Sequence, residues 1–186
     1  MTLLTSYNID PKGLLTSVPF RPSPHADARP EGAIIDMIVI HNISLPPGEF
    51  GTGAIEAFFC GELDVAMHPY YQTIANLHVS AHLLIKRNGQ VVQFVPFHRR
   101  AWHAGESAFA GRTRCNDFSI GIELEGTDTM PYEEAQYQSL VAIIAVLRDT
   151  YPSITCERIV GHADIAPGRK TDPGSAFDWD YLRTHL

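Results

Sequence analysis

The sequence has few cysteines and no long apolar run, and both shortages restrict the class of protein. Its three cysteines, Cys60, Cys115 and Cys156, are odd in number, and no two have the C-x-x-C spacing of a zinc knuckle. A disulfide framework is therefore not expected, and such cysteine usage is typical of a reducing compartment. No stretch reaches the roughly 18 apolar residues that a membrane-spanning helix needs. The first ten residues lack the basic and apolar regions of a signal peptide, so we expect a cytoplasmic location.

Positive charge is also scarce. The chain has 14 Lys and Arg against 21 Asp and Glu, which gives a net charge of −7 at pH 7. This balance disfavours non-specific binding to nucleic acid or to an anionic membrane, and we expect neither as a partner. Internal repeats, low-complexity runs and a glycine-rich phosphate loop are absent as well. A length of 186 residues with 45% hydrophobic content fits one globular domain with its own core.

The hydrophobic pattern predicts a mixed β-sheet with helices. Residues 34–40 are mostly β-branched and apolar, which is typical of a central strand buried on both faces. An Asn88-Gly89 pair predicts a β-hairpin, and hence an antiparallel edge beside the parallel strands. Further strands are predicted at 79–85, 90–95, 119–125 and 158–160. Helices are predicted at 54–60, from an N-cap at Thr129 up to Pro152, and at 177–185.

Polar residues collect where these predicted strands end. His41 and Asn42 follow the first strand, and Glu123 lies on the face of strand 119–125 opposite its three apolar side chains. That pattern fits either a strand that lines a cavity or an exposed sheet edge. The last strand leads into a loop punctuated by proline and glycine, and this loop carries His162, Asp164, Lys170 and Asp172.

These residue types suit a hydrolytic zinc centre. Such a centre needs three protein ligands with one open position, a carboxylate that moves a proton, and a cation that meets the developing oxyanion. His41, His162 and Asp172 are candidate ligands, Glu123 is the candidate base and Lys170 the candidate oxyanion partner. The reaction class would be hydrolysis at a carbonyl group.

Other assignments remain open on pattern alone. Asp164 competes with Asp172, and His82 and His103 compete with His41. His41 also fits a strand-end histidine bonded to backbone, and the 162–172 cluster fits a capped loop with solvated charges.

Four segments resemble a known family. They read HNISLPPGEFG at 41–51, AWHAG at 101–105, RCNDFSIGIELEGTD at 114–128, and GH followed by KTDPG within 161–174. They are similar to the zinc-dependent N-acetylmuramoyl-L-alanine amidases, a family that also includes phage lysozyme-type amidases and peptidoglycan recognition proteins. The resemblance runs from about Pro22 to Trp179. It implies an α/β single domain with a central mixed sheet flanked by helices, spanning 21–186 after an irregular N-terminal extension at 1–20.

The resemblance also implies the chemistry. One Zn²⁺ per chain would be held by His41, His162 and Asp172, which selects Asp172 over Asp164. Glu123 would be the catalytic acid/base, and Lys170 would stabilise the transition state. The implied reaction cleaves the amide between (1,6-anhydro-)N-acetylmuramic acid and L-alanine of cell-wall muropeptides, in peptidoglycan recycling and in restraint of β-lactamase induction.

Substrate contacts are expected from Asn42, His103 and Arg114, of which Arg114 matches a peptide-binding arginine of the family. His78 stands where the family often has a second arginine, which predicts weaker or rearranged carboxylate binding there. An anhydro-muropeptide is the expected partner of a monomeric enzyme with no obligate protein partner. The rival interpretation is a catalytically silent peptidoglycan-binding module, but such modules typically lack a full ligand set.

Overall fold

A five-stranded mixed sheet forms the centre of the molecule in this computed structural model, which describes residues 7–186. The strands in chain order are β1 Ala26–Ala28, β2 Met37–Ile43, β3 Leu83–Ile85, β4 Val91–Gln93, β5 Arg99–Ala101, β6 Ala108–Phe109, β7 Arg112–Thr113, β8 Ser119–Glu125 and β9 Ile159–Gly161. The helices are α1 Ala54–Phe59, α2 Pro69–Ile74, α3 Glu134–Thr150, α4 His162–Ile165 and α5 Trp179–Thr184. None of the helices in residues 7–186 is long and apolar enough to cross a bilayer.

The central sheet has the strand order β4-β3-β8-β2-β9. Strands β3, β8, β2 and β9 are parallel to one another, whereas β4 is antiparallel to β3 at the edge. The β3–β4 connection turns at Gly89, whose φ of +81° suits glycine, as the Asn-Gly pair predicts. Two small two-stranded sheets, β1–β5 and β6–β7, lie outside it. The predicted mixed sheet is confirmed.

The core lies on both faces of β2 and β8. All seven residues of β8 are buried, so the exposed-edge interpretation of this strand is wrong. One face of the sheet packs against the apolar stripe of α3, and each fully buried side chain of this kind contributes about 1.5–3 kcal/mol. This layer includes Ile38, Ile40, Ile120, Ile122, Leu124, Leu140, Ile143, Ile144 and Leu147. The other face is left for the site and for α1 and α2.

Two element ends differ from their predictions. The strand predicted at 34–40 is β2, which continues to Ile43, so His41 lies inside this strand rather than beyond its end. The long helix does not start from an N-cap at Thr129, because Gln136 folds back so that its Oε1 accepts the N–H of Glu133 at 3.1 Å. This reciprocal closure fixes Glu133 as the N-cap.

Several short elements also differ from their predictions. The strands predicted at 79–85 and 90–95 are limited to β3 and β4. The segment 107–116, for which no strand is predicted, contains the short pair β6–β7. Helix α2 had no predicted counterpart. The residues after β9 form the single turn α4 rather than an irregular loop.

The described part of the N-terminal extension packs along the sheet edge. Gln93 of β4 donates its N–H to Pro19 and accepts from Arg21, at 2.9 and 2.8 Å. Tyr7 and Leu15 are buried. This segment therefore covers the free edge of β4, which would otherwise expose unpaired backbone groups. The first six residues of the 1–20 extension lie outside the described residues, and the boundary at residue 20 stays a prediction.

Candidate metal centre

The parallel register of β2 and β8 places His41 beside Glu123. These two residues are register partners, so their side chains project from the same face of the sheet. Strand β9 pairs with β2 through Gly161 and Ile40, and His162 follows immediately as the first residue of α4. The carboxyl ends of three neighbouring parallel strands thus bring these side chains to one edge, where α/β proteins place their chemistry.

Asp172 completes a compact triangle with the two histidines. Nδ1 of His41 lies 3.0 Å from Nδ1 of His162 and 3.0 Å from Oδ2 of Asp172. Nδ1 of His162 lies 3.1 Å from the same carboxylate oxygen. A tetrahedral zinc with bonds of about 2.0–2.1 Å holds its ligand atoms about 3.3 Å apart, so the triangle is close to the size required. The three residues form a candidate metal-binding group.

The outer ring nitrogens show which histidine atoms are free to bind a cation. Nε2 of His162 lies 3.0 Å from the carbonyl oxygen of Ala104. A carbonyl only accepts, so this nitrogen carries the proton. In the neutral imidazole Nδ1 is then unprotonated, and it directs its lone pair into the triangle.

A longer series of hydrogen bonds shows that Nδ1 of His41 is also unprotonated in the neutral ring. Ser119 must donate its hydroxyl proton to the carbonyl of Cys115, at 2.6 Å, and therefore accepts from Nε2 of His103 at 3.1 Å. Nδ1 of His103 then accepts from Nε2 of His41 at 2.9 Å. Burial lowers the pKa of His41 to about 4 and the pKa of His103 well below its usual value, so both rings are neutral at pH 7. In these tautomers the Nδ1 lone pairs of His41 and His162 and the carboxylate of Asp172 point to one place, an arrangement that suits a cation.

The polar side-chain atoms of the rival candidate ligands, Asp164, His82 and His103, form other hydrogen bonds. Asp164 is exposed, and its Oδ2 accepts the N–H of Gly161 at 2.7 Å at the start of α4. Nδ1 of His82 accepts the N–H of Gly121 at 3.0 Å, which leaves Nε2 to donate to the carbonyl of Arg99 at 3.0 Å. Both nitrogens of His103 are engaged as described above.

Glu123 is a buried carboxyl beside this group. Its Oε2 has no hydrogen-bond partner among the described residues. Burial raises the pKa of Glu123 well above its usual value, the charge of Asp172 raises it further, and the charge of Lys170 lowers it. Lys170 is exposed and follows α4 on the loop that leads to Asp172. A carboxyl with a raised pKa and a free oxygen suits proton transfer at near-neutral pH.

These residues line a cleft of about 550 Å³. Its lining includes apolar residues from several elements, and the loop after α4 adds polar ones; the apolar residues are Leu45, Phe58, Ile74, Leu77 and Val79, and the polar ones Arg169, Lys170 and Thr171. A larger groove of about 880 Å³, beside α3 and the β3–β4 turn, shares no lining residue with this cleft. The candidate metal group lines the smaller cavity. We take this cavity as the functional site, because three convergent ligands identify a site better than size does.

The residues predicted to contact substrate are placed differently from one another. Asn42 lines the cleft, but its Nδ2 donates to Oδ1 of Asp128 at 2.8 Å and to the carbonyl of Pro173 at 3.1 Å, so the amide braces the loop of Asp172. His103 also lines the cleft, behind His41. Arg114 is exposed with a φ of +61°, and it lies outside the described lining of the cleft.

The histidine at position 78 belongs to an aromatic stack. Its ring lies 5.0 Å from that of His25 with an interplanar angle of 15°, and His25 is 6.0 Å from Trp102. Burial lowers the pKa of His25, and the neighbouring His78 lowers it further. Leu77 and Val79, on either side of His78, line the cleft.

No residue pattern predicts the outer partners of the metal group. Ala104 acts through a backbone carbonyl, which no residue type reveals, and Ser119 begins an apolar strand. Gly121 does carry a detectable signal, a glycine within a strand. A Cβ at Gly121 would lie 2.4 Å from the ring of His103, so only glycine leaves room for that ring.

The chain is similar to known amidases. The family model for N-acetylmuramoyl-L-alanine amidase matches residues 31–175. The 1,6-anhydro-N-acetylmuramyl-L-alanine amidase AmpD of Escherichia coli K12 is 59% identical over 162 residues, which cover 87% of this chain and 88% of that protein. A crystal structure of a selenomethionine AmpD derivative superposes with a TM-score of 0.92 at 54% identity, covering 96% of this chain and 98% of that one.

A second structure contains a ligand. It is the amidase AmiD of E. coli in complex with the substrate anhydro-N-acetylmuramic acid-L-Ala-D-γ-Glu-L-Lys, with a TM-score of 0.60 at 32% identity. The match covers 97% of this chain and 65% of that one.

Proposed function

The chain belongs to the N-acetylmuramoyl-L-alanine amidase family, and we propose that it hydrolyses the amide between 1,6-anhydro-N-acetylmuramic acid and L-alanine in cell-wall muropeptides. The observation that carries this proposal is the triangle of His41, His162 and Asp172 beside the buried carboxyl of Glu123. A relative named for this activity is matched along most of its length.

We propose zinc as the metal, one ion per chain, with His41, His162 and Asp172 as its ligands. Two imidazole nitrogens and one carboxylate oxygen are typical of catalytic zinc, and three protein ligands leave a fourth position open. When bound, zinc lowers the pKa of water towards ~7 and polarises a carbonyl.

Glu123 is the proposed proton carrier. Its carboxylate would take a proton from the attacking water and pass it to the nitrogen of the leaving L-alanine. The raised pKa supports both steps, because it makes the carboxylate a stronger base and keeps the acid form available near neutral pH. The free Oε2 leaves one oxygen for this exchange.

Lys170 is the proposed stabiliser of the oxyanion. Its charge lowers the pKa of both Glu123 and His41, and its side chain lines the same cleft, which supports this role. An ammonium group there favours the transition state more than the ground state, because negative charge grows on the carbonyl oxygen as the reaction proceeds.

The substrate contacts of Asn42, His103 and Arg114 remain proposals. Arg114 would bind a carboxylate of the stem peptide as a bidentate partner. Nδ2 of Asn42 and both ring nitrogens of His103 already bond within the protein, so these atoms are not free for substrate. His78 lacks the forked set of donors of a guanidinium, so it would bind carboxylate less firmly than an arginine.

The activity belongs to peptidoglycan recycling, and by removing anhydro-muropeptides it would restrain β-lactamase induction. We propose that the enzyme acts in the cytoplasm as a monomer. The three free cysteines, Cys60, Cys115 and Cys156, suit a reducing compartment.

The experiment that tests the proposal follows hydrolysis of anhydro-muramoyl-tripeptide by mass spectrometry. It is run on the protein as purified, after chelation, and after zinc is added back. Release of free tripeptide that stops with the chelator and returns with zinc supports both the reaction and the metal. No release with zinc bound would overturn the amidase proposal and favour a peptidoglycan-binding module.

A further inference from the structure

Both histidines of the candidate metal group depend on two consecutive residues. Nε2 of His41 bonds to the ring of His103 at 2.9 Å, and Nε2 of His162 bonds to the carbonyl of Ala104 at 3.0 Å. The two ligands are 121 positions apart in the sequence, yet their outer partners are neighbours. A shift of the 103–104 backbone would therefore rotate both imidazoles together.

One side chain holds both N–H groups of that backbone, while Nη2 of Arg169 donates to the carbonyl of Ala104 at 2.6 Å. Oδ1 of Asn116 accepts the N–H of His103 at 3.1 Å and the N–H of Ala104 at 2.8 Å. Residues 103–104 follow the end of β5 and belong to no helix or strand, so no sheet ladder or helical turn holds them. A single carbonyl oxygen thus supplies the acceptor for both backbone donors.

Asn116 is itself held firmly. It lies in the 3₁₀ turn Cys115–Asp117, and its own backbone carbonyl accepts from Nη1 of Arg29 at 3.0 Å. Nη2 of Arg29 also donates to the carbonyls of Phe97 and Ser119, at 3.1 and 2.8 Å. Arg29 therefore ties the turn of Asn116 to Ser119 of β8, the residue whose hydroxyl accepts from the ring of His103.

We propose that Asn116 is a positioning residue of the metal centre: its side-chain carbonyl fixes residues 103–104, and these orient the imidazoles of His41 and His162. The inference rests on the proposed zinc site. Loss of one outer partner typically weakens metal binding by about 10–100-fold. Asn116 acts on two outer partners at once, so its removal is expected to reach that range without touching a ligand.

The test measures zinc affinity of the full-length protein by competition with a chromophoric chelator. Asn116→Ala removes the acceptor, whereas Asn116→Asp retains a side-chain oxygen at the same position. Asn88→Ala is the matched control, because Oδ1 of Asn88 also accepts a backbone N–H, that of Gln90, but in the β3–β4 turn. We expect zinc binding about 10–100-fold weaker in Asn116→Ala. Asn116→Asp and Asn88→Ala should both keep the parent affinity within about threefold.

A second measurement separates positioning from general stability. Zinc in the site is replaced by cobalt, whose visible absorption bands report ligand geometry directly. Asn116→Ala should change these bands, and at saturating zinc it should lower kcat more than it changes KM. A lower melting temperature in the chelated protein, together with unchanged zinc affinity and cobalt bands, would show a purely structural role and overturn the inference.

The outcomes also distinguish this inference from the proposed function. A parent protein that binds no zinc would overturn the proposed metal centre itself. Tight zinc binding in the parent and equal binding in Asn116→Ala would overturn only the role of Asn116. If Asn116→Ala does not fold, Asn116→Ser provides the test, since its shorter side chain cannot reach both N–H groups; affinity within about threefold of the parent would again count against the inference.

Discussion

The carboxyl of Glu123 combines burial, a free oxygen and a position next to the metal group. Glu123→Gln keeps the volume of the side chain but removes its ability to accept a proton. We expect turnover to fall by about 10²–10⁴-fold, the usual contribution of a general base. Zinc content should stay at one per chain, because Glu123 is not one of the three ligands. Turnover and metal content measured on the same sample check this, and near-normal turnover would remove Glu123 from its role.

The charge of Lys170 gives a separate test through pH. This charge lowers the pKa of Glu123, so Lys170→Gln should raise that pKa. The base must be ionised to accept a proton, so the acidic limb of the kcat/KM profile should move to higher pH in the residual activity. Lys12→Gln, which changes an exposed lysine elsewhere, is the control. A limb that stays in place would mean that Lys170 and Glu123 do not interact in the enzyme.

At the scale of single elements, α3 is fastened to the sheet by Gln136. This side chain is fully buried, and its Nε2 donates to the carbonyls of Ile85 and Glu125 at 3.2 and 3.0 Å. Gln136→Ala would leave both carbonyls without this donor and open the start of the helix, at a cost of about 2–4 kcal/mol. Gln138→Ala, two residues along on the exposed face, should change stability by less than about 0.5 kcal/mol. Urea unfolding at fixed zinc concentration compares them, and equal losses would contradict the role of Gln136.

The same helix shows what a sequence can and cannot predict about element ends. Periodicity correctly predicts a long helix before Pro152 and the full extent of β8, because alternation and helical spacing are recorded in consecutive residues. The start of α3 depends instead on a side chain three residues inside the helix, which a single N-cap candidate at Thr129 does not capture. His41 falls inside β2 because pairing with β8 continues to Ile43, and pairing partners are not visible in one segment.

At the scale of the whole molecule, the candidate metal group joins parts of the chain far apart in sequence. Composition and pattern predict the mixed sheet, and the family resemblance selects Asp172 where spacing alone left Asp164 open. The outer partners escape prediction because they depend on which loop lies behind β2 in space. Ala104 contributes a backbone carbonyl and Asn116 acts through two backbone N–H groups, so their residue types carry little information about these roles.

Removal of the metal should therefore lower the stability of the whole fold. The native state brings the ligand atoms of His41, His162 and Asp172 within 3.1 Å of one another, and the unfolded chain does not, so the metal binds the native state. Zinc at about 1,000 times its Kd stabilises the native state by about 4 kcal/mol. For a chain of this length that corresponds to a melting temperature about 8–16 °C higher than that of the chelated protein.

Thermal unfolding with zinc and with chelator measures this difference, and two aspartate variants locate its origin. Asp172→Ala should abolish most of the zinc-dependent shift, because it removes a ligand. Asp164→Ala should keep the shift and lower both melting temperatures alike, because that carboxylate only caps α4 through Gly161. The opposite order would make Asp164 the ligand, and an equal melting temperature with and without zinc in the parent protein would mean that these three side chains do not form the metal site.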